Sequence, residues 1–215
     1  MVLFLIGHIS NTALATTTIA LAINQIVFLP LLGFTDATSI ITGQFVGMNK
    51  LDVAKKCASR AWRIAALYMC VAGAVYLLFP EALLKLFQPQ NNSNIVFDEI
   101  LRDGTILLAL AACYNFFDAT KFIYMGALRG AGDTKAVMFI AISCSWGLMV
   151  PGILLIIFVI KGSVIMVWVY LSIYIVFESM VMFWRFRSNR WQKIEMVDRH
   201  KAVSEVPVSQ NDLTI

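Results

Sequence analysis

Charge is what this chain has least of. Only 14% of its 215 residues are Asp, Glu, Lys or Arg, against 60% hydrophobic, and the mean hydropathy is +0.78. So few charges cannot clothe a soluble surface of this size. The class is a polytopic α-helical membrane protein, all-α in fold, because helices satisfy their own backbone groups in hydrocarbon. Metal and disulfide chemistry also lack their residues. The four cysteines, Cys57, Cys70, Cys113 and Cys144, form no CxxC or Cys/His cluster, which argues against a zinc site and a disulfide framework and leaves them as small apolar residues. No nucleophile–base pairing, metal spacing or phosphate-cradling loop stands out, so an enzyme is the weakest reading and no cofactor is expected. The net charge of +4 would suggest nucleic acid in a soluble protein. Here its distribution carries the meaning, and no nucleic-acid partner is expected.

What is present is a series of apolar runs. Residues 1–9, MVLFLIGHI, are too few to span a bilayer whose core takes ~20 helical residues, and no basic flank or small-residue cleavage site makes them a signal peptide. They read as the end of a helix whose beginning is missing. A long segment then runs to about Val46, with Pro30 and Gly33 expected to bend it. Its second half carries Thr35, Thr38 or Ser39, and Thr42 on one face, which should look at a cavity or another helix rather than lipid. For Asp36, a functional role and solvation at a membrane mouth both remain open. Asn49 is placed to cap the next helix, with Asp52 in its first turn. Further spans are expected at about Ala61–Phe79, Thr105–Met125, Ala136–Ile160 and Gly162–Trp184, with a short interfacial helix at Glu81–Phe87 and a loop from Gln88 to Asn94. Pro151 should kink its helix and free the carbonyl of Gly147. From about residue 187 to 215 the chain reads as a polar tail.

Asp118 is the residue that a membrane makes expensive. It sits within an apolar run that ends in a Gly-rich turn bearing Arg129 and Asp133. An ionised Asp near the centre of a span costs a few kcal/mol, so such residues usually face a bundle interior or a wet cavity. A carboxylate there can bind a cation or a proton. Lys121, three residues on and on the same helical face, offers the competing reading of a local ion pair. Glu178, about two turns from the end of the last span, is expected to reach water or Arg185.

The basic residues orient the chain. Thirteen of the 17 lie in alternate connections, after the first, third and fifth full spans, and only Lys85, Arg102 and Lys161 lie in the others. By the positive-inside rule the C-terminus is cytosolic.

The stretch LATTTIALAINQIVFLPLLGFTDATSIITGQFVGMNKLDVAKK resembles a segment of the multidrug and toxic compound extrusion (MATE) transporters, with Ala15, Asn24, Pro30, Gly33, Ala37, Gly43, Gln44 and Gly47 at matching places. GALRGAGDT, Gly126–Thr134, resembles a signature of their second lobe, and Pro151 and Trp168 fit its last two helices. The resemblance covers residues 1–186 and implies the second six-helix lobe, from the end of helix 7 through helix 12, with its first helix truncated and a cytosolic tail at 187–215. It implies cation-coupled efflux of drugs or other organic, often cationic, compounds across a plasma membrane, the bacterial inner membrane, with Na⁺ or H⁺ as the coupling ion. Tyr114–Ala119 matches the family's YxxxDA pattern, which marks Asp118 as the coupling residue. Asn24, Asp36, Thr38, Thr42, Tyr114 and Lys121 are then candidate cavity residues. The missing first lobe, or a second copy of the chain, becomes the expected partner beside the lipid bilayer and a small organic substrate. Two alternatives stay open: a flippase of lipid-linked saccharides, which would want a large basic cavity, and a non-transporting remnant or structural subunit of a split transporter.

Overall fold

The computed structural model describes residues 11–87, 94–160 and 162–193, and everything described is helix or short turn. Helix α1 is Asn11–Gly47, α2 Leu51–Leu78, α3 Pro80–Lys85 and α4 Asn94–Gly130. Helix α5 (Thr134–Cys144) continues through a π-helical segment, Ser145–Met149, into α6 (Val150–Leu154) and a second π segment, Leu155–Ile160; α7 is Val164–Arg187. Among the described residues, five helical stretches are long and apolar enough to cross a membrane. The residues expected to form the loop before Asn94, the sequence preceding Asn11 and most of the expected tail lie outside the described residues.

Helix α1 is unbroken through Pro30, and at 37 residues it extends ~55 Å at 1.5 Å per residue. Its threonines tolerate an apolar setting because Thr16, Thr18, Thr35 and Thr38 each donate the hydroxyl to the carbonyl four residues back, at 2.7–2.9 Å. The helix ends differently from the expectation. Asn49 is not the cap of α2; it takes a left-handed conformation (φ 60). That conformation lets the Lys50 amide donate to the Phe45 carbonyl at 2.8 Å and so close α1. Lys50 is the N-cap residue of α2 and makes no side-chain cap. Helix α2 takes in Lys55, Lys56, Arg60 and Arg63, which the sequence placed in a connection, because nothing between Leu51 and Ala61 breaks a helix. The short α3 follows, with Pro80 in its first turn and Leu84 fully buried against Gly104 of α4.

The Gly-rich stretch is also more helical than expected. Helix α4 runs on through Gly126 and Gly130, leaving only Ala131 to Asp133 as the turn, where Gly132 has φ 85. Gly126 and Gly130, one turn apart, face α1. A Cβ on either would collide with backbone, on Gly126 with the Thr35 carbonyl and on Gly130 with the Ser39 carbonyl, and Gly43 lies against Gly130 in turn. Two rows of small residues thus let α1 and α4 meet backbone to backbone, the arrangement that packs membrane helices where the hydrophobic effect offers nothing.

Pro151 leaves its mark in the helix geometry. Just before it the chain turns π-helical, and the Val150 amide reaches the Ser145 carbonyl five residues back. Tyr170 of α7 adds its hydroxyl to the Leu148 carbonyl at 2.6 Å. At the far end, Asp133 receives both Arg185 Nε at 2.8 Å and Nη2 at 2.7 Å, which ties the α4–α5 turn to α7. Arg185 is therefore the partner of Asp133, not of Glu178. The tail expected from residue 187 begins later, since Ser188–Lys193 remain on the body. Trp191 is fully buried, stacks on Phe186 with ring centroids 5.4 Å apart, and donates Nε1–H to the Phe186 carbonyl at 2.9 Å.

Candidate functional site

One stripe from each of α1, α4 and α7 lines a half-open cavity of about 340 Å³. On α1 the stripe is Thr17, Leu21, Asn24 and Phe28; on α4 it is Tyr114, Asp118, Lys121 and Phe122; on α7 it includes Trp168, Leu171, Tyr174 and Ile175. Steps of three and four residues place each set on a single helix face. Met149, from the π segment, completes the wall. The lining is aromatic and apolar, with a few polar groups set into it.

Asp118 is one of these. It is 6% exposed, and among the described residues no hydrogen bond or ion pair reaches its carboxylate. The charges that act on it are Lys121 and Glu178. The local pair between Asp118 and Lys121, the competing reading from the sequence, is not made. Lys121 instead spans from α4 to α7 and places Nζ 2.8 Å from Glu178 Oε2, with side-chain exposures of 18% and 4%. The approach is off the hydrogen-bonding direction, so the contact is charge attraction without an aligned hydrogen bond. The Lys121 ammonium also lies 5.1 Å from the Phe122 ring centroid. Glu178 is thus buried and paired inside the bundle, a correction to its expected reach toward water or Arg185. The reason is geometric: Glu178 continues the α7 stripe three residues beyond Ile175, so it points into the bundle whatever its distance from the helix end.

Other polar groups are held in place around the cavity. Asn24 accepts from the Tyr76 hydroxyl at 3.4 Å, and the Tyr174 hydroxyl meets Ser145 Oγ at 3.3 Å. Thr17 Oγ1 and Trp168 Nε1 are buried without a hydrogen-bond partner among the described residues, as are both amide atoms of the neighbouring Asn115. Of the candidate residues, Asn24, Tyr114, Asp118 and Lys121 come together here. Thr38 and Thr42 are buried but are not part of the cavity wall, and Asp36 is exposed on α1. The aromatic wall of Phe28, Phe122 and Tyr174 was not singled out from the sequence, and Glu178 was read there only as reaching water or Arg185. The usable signal for Glu178 was its register with Trp168, Leu171 and Ile175.

The model of the MatE family matches residues 1–155. A probable multidrug resistance protein NorM of Pseudomonas putida is 30% identical over 162 residues, which is 75% of this chain and 35% of that protein. A probable multidrug resistance protein NorM of Thermotoga maritima is 23% identical over 183 residues, 85% of this chain and 38% of the relative. This chain therefore spans about a third of the length of these curated relatives. A solved structure, described as the outward-facing conformation of a multidrug resistance MATE family transporter of the MOP superfamily, superposes with a TM-score of 0.73 at 19% identity, covering 87% of this chain and 42% of that one.

Proposed function

The chain belongs to the MatE family of membrane transporters, and from that premise we propose that it is a lobe of a cation-coupled exporter of organic cations, with Asp118 as the cation-binding group. The observation that carries this reading is the unpartnered, buried carboxylate of Asp118 in an aromatic-lined cavity, beside an ammonium already engaged by Glu178. Two carboxylates and one ammonium leave a single negative charge, which suits one monovalent cation. A flat or bulky organic cation gains from aromatic walls such as Phe28, Phe122 and Trp168, which attract positive charge through their ring faces. A proton or Na⁺ competing for the same carboxylate couples the two fluxes, because only one positive charge is held at a time. A flippase of anionic lipid-linked sugars fits less well, since the one basic group in the cavity is neutralised.

Alternating access asks for a second bundle that rocks against this one around the site. We assign that place to an N-terminal lobe or to a second copy of this chain, in a bacterial inner membrane with the C-terminus in the cytosol. The test is binding of tetraphenylphosphonium to the purified chain in lipid nanodiscs. Removing one unit charge about 5 Å from the bound cation, at an effective dielectric of ~20, is worth about 3 kcal/mol, so Asp118→Asn should weaken binding about a hundredfold. Sodium or acid should displace the probe from the unaltered chain. Binding by Asp118→Asn at unaltered strength would remove Asp118 from the role.

A further inference from the structure

Buried Glu178 and half-buried Lys121 form an ion pair beside the cavity that cation binding at Asp118 does not itself use. Lys121 follows Asp118 by three residues on α4, lines the same cavity, and reaches across to Glu178 on α7. The pair is off the hydrogen-bonding direction, and the ammonium sits on a four-carbon stem with rotatable bonds that is partly open to the cavity. Building on the cation-site reading, we propose that Glu178 sets the charge of the site by holding the Lys121 ammonium away from Asp118, and that loss of charge on Glu178 sends the ammonium to Asp118, where it occupies the site as a tethered cation.

The surroundings leave the ammonium few other choices. Glu178 is faced by Lys121 from α4, by Tyr174 on its own helix and by Cys144 from α5. Asp118 feels Lys121 and Glu178, with Tyr114 beside it. The Asp133–Arg185 pair is already satisfied. A buried ammonium without a carboxylate is strongly disfavoured. With Glu178 neutral, Asp118 is the remaining anion in this cavity, and it is on the adjacent turn of the same helix. With the ammonium on Glu178 the Asp118 carboxylate is open to a free cation, and with the ammonium on Asp118 it is closed to one. Glu178 is thus a positioning residue that never touches the cargo.

The experiment measures tetraphenylphosphonium binding to the full chain in nanodiscs for three variants. One unit charge a few ångströms from the probe, at an effective dielectric of ~20, changes affinity by about tenfold or more. Glu178→Gln should therefore weaken binding by at least about that factor although Asp118 is intact, and Lys121→Gln should tighten it by a similar factor, since the negative charge of Glu178 then acts on the site unopposed. The double variant Lys121→Gln/Glu178→Gln should return to within about threefold of the unaltered chain, its net charge being restored. A purely structural pair predicts the opposite for Lys121→Gln, namely loss of binding together with loss of fold, and that result overturns the proposal. So does unchanged binding in Glu178→Gln. Thermal unfolding gives a readout free of ligand: Asp118→Asn should lower the melting temperature much more in the Glu178→Gln background than alone, because the ammonium then has no carboxylate, and equal effects in both backgrounds overturn the proposal. Asp118→Asn alone separates the two claims. Normal probe binding there defeats the cation site itself, whereas loss there with retention in Glu178→Gln defeats only the role of Lys121.

Discussion

Replacing Gly130 by Ala tests the contact that holds α1 against α4. The added Cβ would fall on the Ser39 carbonyl oxygen, which is backbone within a helix and has no rotamer to escape into. The two helices must separate by more than an ångström to restore ordinary contact. Overpacking of this kind costs ~1–3 kcal/mol, and the rigid partner argues for the upper end, about 3 kcal/mol. Ala regains about 1 kcal/mol over Gly in helix propensity. The net expectation is a loss of about 2 kcal/mol, read from reversible unfolding in mixed micelles by circular dichroism. Gly33→Ala is the internal control. It lies in the same pair of helices, yet a Cβ there meets nothing within 4 Å, so that variant should be neutral or gain up to about 1 kcal/mol. If Gly130→Ala is as stable as Gly33→Ala, the close approach of α1 and α4 is wrong, and with it the geometry of the cavity farther along the same helices.

Trp191→Ala should cost about 3 kcal/mol, the usual loss for emptying a fully buried aromatic site, and a chain ended after Asn189 should lose a similar amount; no loss in either would return this segment to the tail. Asp133→Ala leaves the Arg185 guanidinium without its double contact and should destabilise by about 2 kcal/mol, less than a fully buried pair would because Arg185 is about one-fifth exposed, as read by the same unfolding assay. Cysteines placed at Lys56 and Asn189 in a cysteine-free background should react with impermeant reagent from one side of the membrane and one at Leu86 from the other, following the basic residues; reaction of all three from one side refutes the orientation.

The number and order of spans were legible because length and apolarity are all a membrane demands of a helix, and no tertiary partner can override them. Boundaries were not. Lys55 to Arg63 read as a connection because they are charged, whereas a helix can project beyond the hydrocarbon layer and carry charge there. The Gly126–Gly130 pair read as a turn because glycine usually marks one. In lipid, small residues also mark close helix contacts, and only the facing row of Thr35, Ser39 and Gly43 distinguishes the two uses. Asp118 stood out by cost, but its neighbours could not be assigned from one helix. Lys121 has one carboxylate three residues behind it and another 57 residues ahead, and local spacing favours the nearer. The chain chooses the farther, because the α7 stripe that carries Trp168 and Ile175 also carries Glu178 into the bundle.

One helix pair accounts for both the packing and the cavity. At the Gly126–Gly130 end, α4 touches α1 through backbone, with small residues on each side. Asp118 lies eight residues earlier, ~12 Å along the axis, and there the facing residues on both helices change to Leu21, Phe28, Tyr114 and Phe122. Large side chains cannot be accommodated at backbone contact, so a gap opens between the two helices there, and α7 with its aromatic residues walls it from the side. A charge placed in that gap has no helix near enough to satisfy it unless a long side chain reaches across. Lys121 is long enough and is taken by Glu178; Asp118 is short and is left open. The free carboxylate is therefore a consequence of where the small residues stop, and moving that boundary toward Asp118 would close the cavity without touching any residue that lines it.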